Sequence, residues 1–217
     1  MATLAKIALS FIGGLKADRV KGRGGKPVIA LPPPQVTGGM PLMAALSARR
    51  SQREFAPAPL PPQVLSDLLW SAFGVNRAAG HGRTAPSAIG AQEIDVYAAL
   101  AGGLYIYDPD AHRLARVAQV DARRVTGYQD FVDEAPLDLV YVADQAHLHN
   151  LPGEHRDAYS AACAGAIAQN VYLYCASAGL ATVVRGWLDR RAVAQALGLS
   201  REEHVVLAQT VGYPATR

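Results

Sequence analysis

Hydrophobic and polar positions change period along the chain, and each change marks an element. From Pro41 onward, Leu42, Ala45, Leu46 and Arg49 recur at helical spacing, and Pro41 suits the start of a helix. That helix is expected to end between Ser51 and Phe55. A second helix is predicted to open at Pro61-Pro62, with Val64, Leu65, Leu68, Leu69 and Phe73 as its apolar stripe and Gly74 after its end. Residues 75–92 are small and polar, with Gly80, Gly82, Pro86 and Gly90, and read as a long loop of the kind that carries function in compact domains. The period then drops to two. Ile94, Val96 and Ala98 alternate against Asp95 and Tyr97, and turns at Ala101-Gly102-Gly103 and Pro109-Asp110 lead into residues 104–108 and 114–120. This predicts an antiparallel meander.

The apolar run 137–143 predicts a central strand. Residues 157–178 read as a long helix rich in small side chains, stopped by Gly179, and 181–184 as a short strand. Asp189 is placed to cap a helix that stops at Gly198. Ser200 and Glu203 have capping-box spacing for a last turn, and residues 204–211 form a final strand closed by Gly212-Tyr213-Pro214. Helices mixed with an antiparallel-leaning sheet give an α+β class, with a central mostly antiparallel sheet flanked by helices.

Residues 1–39 lack this periodicity and are expected to be an N-terminal arm or linker before a domain spanning 40–217. Lys6 precedes an apolar stretch from Ile7 to Leu15, broken by Gly13 and Gly14. It is short for an export signal and its charged flank is thin, so residues 1–17 read as part of the arm. Gly22-Arg23-Gly24-Gly25-Lys26 superficially resembles a phosphate loop, yet it lacks the following Ser or Thr and a preceding strand. A solvated basic segment is the better reading, and Pro32-Pro33-Pro34 should be extended.

Half of the 217 residues are hydrophobic, enough for a sizeable core, and no apolar run approaches the ~20 residues of a membrane span. A formal charge of +3 is too balanced for a dedicated nucleic-acid binder. Neither membrane nor nucleic acid is therefore an expected partner. Cys163 and Cys175 fall in one helix, ~18 Å apart along its axis, so they do not bridge. Without a disulfide framework, a reducing, cytoplasmic compartment is expected.

The densest local chemistry is Arg49-Arg50-Ser51-Gln52-Arg53, which sets three guanidiniums and a hydroxyl at a helix end. Planar, multidentate guanidiniums suit phosphate and the carbonyl edge of an aromatic ring, although composition alone would fit a solvated basic face. His147, His149, Asp144, Glu154 and His155 follow no strong zinc spacing and read as a polar surface loop. Ser160 and Cys163, near His155, lack a nucleophile elbow, and Cys163 reads as a buried structural thiol. Tyr105 and Tyr107 are expected to pack, Tyr128 is a candidate for a pocket border, and Trp187 fits either such a border or an ordinary core tryptophan.

The stretch 45–55 around Arg49-Arg50-Ser51-Gln52-Arg53 resembles the opening motif of the FMN-dependent nitroreductase family. The likeness continues in order through 68–77, Arg83-Thr84-Ala85-Pro86-Ser87-Ala88, Gly179-Leu180-Ala181-Thr182, Arg185-Gly186 and Val211-Gly212-Tyr213-Pro214. Residues 103–109 are similar to a segment of the branch that includes azoline dehydrogenases. The resemblance implies a nitroreductase-like fold and a homodimer, with the long small-residue helix at its interface. It implies FMN as cofactor, NAD(P)H as electron donor and a small electron-poor acceptor such as a nitroaromatic or quinone. Dehydrogenation of a peptide-borne ring, and flavin binding without turnover, are the alternatives.

On matching positions, Arg49 and Ser51, with Arg50, would hold the FMN phosphate, and Arg53 would face the N1/C2-carbonyl edge. Pro86, Ser87, Ala88 and Gly90 would approach the flavin from the other subunit, and the backbone of Arg185 and Gly186 would lie at its N5/O4 edge. No side-chain nucleophile is implied, because the flavin carries the redox chemistry. Gly90 stands where the family commonly has Asn, and Arg217 is the basic residue after the last strand.

Overall fold

The structure, a computed structural model, describes residues 28–77, 79 and 81–215. Residues 1–17, read as part of the arm, the glycine-rich basic run before Pro27 and Arg217 lie outside the described residues.

The predicted meander forms β4 (Ile94–Leu100), β5 (Gly103–Asp108) and β6 (Arg113–Ala118), paired antiparallel in sequence order. β7 (Leu137–Asp144) is the central strand, between β4 and β9 (Glu203–Gly212), and β8 (Ala181–Arg185) pairs with the far half of β9. With β1 (Val28–Ala30) on the outer edge of β6, the sheet has seven strands in the order β1-β6-β5-β4-β7-β9-β8, and every pairing is antiparallel.

β7 reads as an unbroken apolar run because both its faces are covered. Leu137, Leu139 and Tyr141 pack under α2 (Pro62–Phe73) and α3 (Gly153–Ala178), against Leu68, Leu69, Ile167 and Val171. Val140 and Val142 point the other way, towards Val193, Ala196 and Leu197 of α4 (Arg190–Leu197). Asp189 caps α4 as its sequence implies: its carboxylate accepts from the Arg191 and Ala192 amides at 3.1 and 3.0 Å. Gly179 and Gly198 end α3 and α4 in the left-handed conformation, both at φ 69°.

Several elements differ from expectation. Among the described residues regular structure is already present at Val28, before Pro41, because the free edge of β6 accepts a three-residue strand. Residues beyond it are fixed to α2: the Ser66 hydroxyl donates to the Pro32 carbonyl at 2.6 Å, and the Gln35 amide to Asp67 at 2.8 Å. The first helix, α1 (Leu42–Ala48), stops before Ser51 and buries only Ala45. The expected loop 75–92 contains a short hairpin of β2 (Val75–Arg77) and β3 (Gly82–Arg83). Gly74 is extended, not left-handed; it is required because any Cβ there would overlap the Trp70 ring. α3 begins at Gly153, ahead of Asp157, with Pro152 as its N-cap. After Ser200 the chain makes a non-helical turn, in which the expected capping-box bond forms: the Ser200 amide donates to the Glu203 carboxylate at 2.7 Å.

The ends of β4, β7 and β9 gather carboxylates. Burial, then Asp144 and Glu203, push Asp95 up to about 6, against a smaller opposing pull from His147. A raised acid pKa means the folded chain holds a proton that the unfolded chain releases, so stability falls as pH rises from about 4 to about 6. Asp95→Asn is therefore expected to stabilise the protein by roughly 1–3 kcal/mol at pH 7 and to give no gain near pH 4. Urea unfolding at the two pH values checks this, and an equal effect at both would contradict it.

Candidate functional site

The arginine cluster lies where α1 gives way to an extended segment along β8. The Gln52 amide donates to the Thr182 carbonyl at 3.0 Å, and Phe55 bridges to Pro214 beyond β9. Tyr172 of α3 fixes the junction. Its hydroxyl shares a 2.7 Å hydrogen bond with the Ser51 hydroxyl and accepts from the Val184 amide at 3.0 Å. The Arg49 guanidinium sits over the Tyr172 ring, 5.3 Å from its centroid. One phenol thus joins the candidate phosphate-binding residues to the strand that leads into Arg185 and Gly186.

Arg49 is half-buried, and Arg50, Ser51 and Arg53 are exposed. Among the described residues, none of these three arginines is ion-paired to a carboxylate. Three guanidiniums that no carboxylate pairs with among the described residues, beside an accessible hydroxyl, fit a phosphate group well.

Arg185 divides its roles between backbone and side chain. Its side chain turns into the core, donating to Asp138 at 2.7 Å, the Thr126 carbonyl at 2.6 Å and the Thr210 hydroxyl at 3.0 Å. Burial lowers the Arg185 guanidinium and raises Asp138, and each partner's charge opposes the other's shift. Gly127 is required beside it, since a Cβ there would overlap the guanidinium. Gly186 next to it is exposed, so at this strand end main chain is accessible while the cation is buried. Trp187 follows, 49% exposed and 5.5 Å from the Tyr128 ring, which excludes an ordinary core tryptophan.

Pro86, Ser87, Ala88 and Gly90 belong to a different flank. The Ala88 amide donates to the Cys163 sulfur at 3.2 Å, and Asn170 donates to the Thr84 carbonyl at 3.2 Å. At ~100° per residue, Cys163 and Asn170 share one face of α3 while Tyr172 leaves the opposite one. Within one chain, the Pro86–Gly90 loop and the Arg49–Arg53 cluster are thus on opposite sides of α3. Ile89 and Gly90 both have positive φ, 48° and 71°, and a Cβ at Gly90 would meet nothing within 4 Å.

The remaining sequence candidates have other surroundings. Cys163 is buried, and burial together with the Glu93 carboxylate pushes its thiol up to about 11, far from a nucleophile's range. His147 lies 3.9 Å from Asp144 and His155 3.6 Å from Glu154, and no three metal-ligating groups converge among the described residues. Of residues 103–109, Gly103–Asp108 form β5, where Tyr105 and Tyr107 are buried and pack as expected. No helix among the described residues is long and apolar enough to cross a membrane. Tyr172 was not among the sequence candidates. Its link between two segments exists only in the folded chain, and helical spacing marks it as one more core position.

Residues 46–213 match the sequence profile of the nitroreductase family. A Methanocaldococcus jannaschii protein named as a nitroreductase is 29% identical over 177 residues, covering 77% of this chain and 88% of its own. The crystal structure of a Ralstonia eutropha protein described as a nitroreductase is 52% identical, with a TM-score of 0.84, over 94% of this chain and 100% of that one. A Desulfovibrio desulfuricans structure, described as a nitroreductase in complex with FMN, shares the fold at 20% identity and a TM-score of 0.58, over 82% of this chain and 89% of that one. With the family profile spanning most of the sequence, the chain belongs to the nitroreductase family.

Proposed function

We propose that the protein is an FMN-dependent oxidoreductase that takes electrons from NAD(P)H and passes them to a small electron-poor acceptor, such as a nitroaromatic or quinone. The observation that carries this reading is the Tyr172 hydroxyl, which holds Ser51 and Val184 together and so brings the cationic segment to the β8 edge. Bound FMN supplies the hydride-accepting and hydride-donating chemistry. Arg49, Arg50 and Ser51 neutralise and orient the phosphate. Arg53 offers positive charge to the ring edge that becomes anionic on reduction. Backbone at Arg185 and Gly186 orients the N5/O4 edge, and the buried Arg185–Asp138 pair keeps that backbone in place.

The site is completed by a second copy of the chain. The exposed stripe of α3, with Ala158, Ala161, Ala162 and Gly165, permits close approach, and α1 leaves Leu42 and Met43 63% and 75% exposed beside it. A partner docked there would bring its Pro86–Gly90 loop to a cluster that this chain's own loop does not reach.

The test is an anaerobic visible spectrum of FMN-loaded protein. NADH or NADPH should bleach the flavin band, and a quinone or nitroaromatic should restore it. A band that neither nicotinamide bleaches would leave a flavin-binding protein without turnover.

A further inference from the structure

β8 ends with its last side chain turned inward and the next two residues turned outward. Arg185 is buried, Gly186 and Trp187 are exposed, and Leu188 returns to the core beside α4. The exposed pair is therefore mounted between two buried anchors. A second segment, 126–129, holds it from behind. Arg185 donates to the Thr126 carbonyl at 2.6 Å and to its hydroxyl at 3.1 Å, and Gln129 donates to the Trp187 carbonyl at 3.4 Å.

Tyr128 sits between those contacts. Its ring is buried and meets the Trp187 indole, with centroids 5.5 Å apart and planes tilted by 48°. Burial, then the neighbouring Asp189 carboxylate, raise its phenol above the ordinary range, and Asp189 is itself fixed as the cap of α4. The indole thus has a rigid support on one side, yet Trp187 remains 49% exposed. Leaving that much aromatic surface in water is unfavourable, and fixing it in place beforehand lowers the entropy lost when a ligand covers it. Indole is electron-rich, so a flat, electron-poor ring gains more from packing on it than a puckered ring of equal size.

We infer that Trp187 selects the electron acceptor: its indole stacks a planar aromatic acceptor beside the Gly186 main chain and favours it over an acceptor of similar polarity without an aromatic ring. Tyr128 is a positioning residue, holding the indole without touching the acceptor. The inference rests on the flavin reading above, which puts the Gly186 backbone, one residue away, at the N5/O4 edge.

Nitrobenzene and nitrocyclohexane test it, since they carry the same polar group on rings of the same size, one flat and one puckered. Each is titrated into oxidised, FMN-loaded protein without an electron donor, and the indole N–H signals of the two tryptophans are followed by NMR. Trp70, whose indole donates to the Val75 carbonyl at 3.0 Å, is the internal reference. Nitrobenzene is expected to move the Trp187 signal, to leave that of Trp70 in place, and to bind roughly three- to tenfold more tightly than nitrocyclohexane. Trp187→Leu should remove this preference and Trp187→Phe should keep most of it, with FMN bound as in the wild type. If Trp187→Leu does not fold, Trp187→Gln and the wild-type signal decide it. A Trp187 signal that nitrobenzene leaves unmoved, as a second copy covering the indole would cause, overturns the proposal and leaves the flavin reading standing. So does a preference that survives loss of the indole. Protein that takes up no FMN overturns both.

Discussion

Arg185→Met is expected to destabilise the fold by about 3–5 kcal/mol, which for a chain of this size lowers the melting temperature by roughly 10 °C. The cause is what remains behind. Asp138 is 0% exposed, and Arg185 is its only cationic hydrogen-bond partner among the described residues. Removing the guanidinium leaves a buried carboxylate with the Thr210 and Thr126 hydroxyls beside it and Arg123 as a more remote cation, and frees the Thr126 carbonyl as well. With its cation gone, Asp138 must take up a proton to remain buried. Burial raises this acid's pKa, so its ionisation costs stability as pH rises. The variant's deficit should accordingly be smaller at pH 5 than at pH 8. Adding Asp138→Asn should recover part of the loss at pH 8, because the group left behind is then neutral. Denaturant unfolding of the three proteins measures this. A deficit under about 1 kcal/mol, the scale of an exposed pair, would remove the pair from the account.

Arg53→Ala is expected to weaken FMN binding roughly tenfold, the scale of one lost charge-assisted hydrogen bond. It should also make the bound flavin harder to reduce, because the lost cation no longer favours the anionic reduced ring. The direction follows from charge: the midpoint potential moves to more negative values. Arg53 is exposed and is ion-paired to no carboxylate among the described residues, so the variant should unfold like the wild type. That separates a binding role from a structural one. Equal affinity and equal potential in the variant would take Arg53 out of the site.

Much of this architecture was legible before the structure, for identifiable reasons. The meander followed from its period of two and its two turns, and the centrality of β7 from an apolar run too continuous for a half-exposed strand. Asp189 and Gly198 bracketed α4 correctly because a cap and a left-handed stop are local chemistry. β1 and the β2–β3 hairpin were missed because each is only two or three residues long and forms by pairing with a neighbouring strand. α1 shows the limit of periodicity: its apolar spacing is real, yet Leu42 and Leu46 face outward. The pattern marks a face to be covered without saying what covers it.

The candidate site was legible as composition and order. Arginines and a serine at a helix end, then a strand ending in Arg185-Gly186, were readable along the chain. What sequence could not supply was the division of labour at Arg185, whose buried partner Asp138 lies 47 positions away. Tyr172 was equally hidden, 121 positions from Ser51.

The central claim is that cationic side chains beginning at Arg49 bind a flavin through its phosphate, and flavin fluorescence reads it most directly. FMN and riboflavin, identical but for that phosphate, are titrated in parallel into flavin-free protein. One FMN per chain, bound roughly a hundredfold more tightly than riboflavin, is the predicted outcome. Equal affinities for the two, or no saturable binding of either, would contradict it.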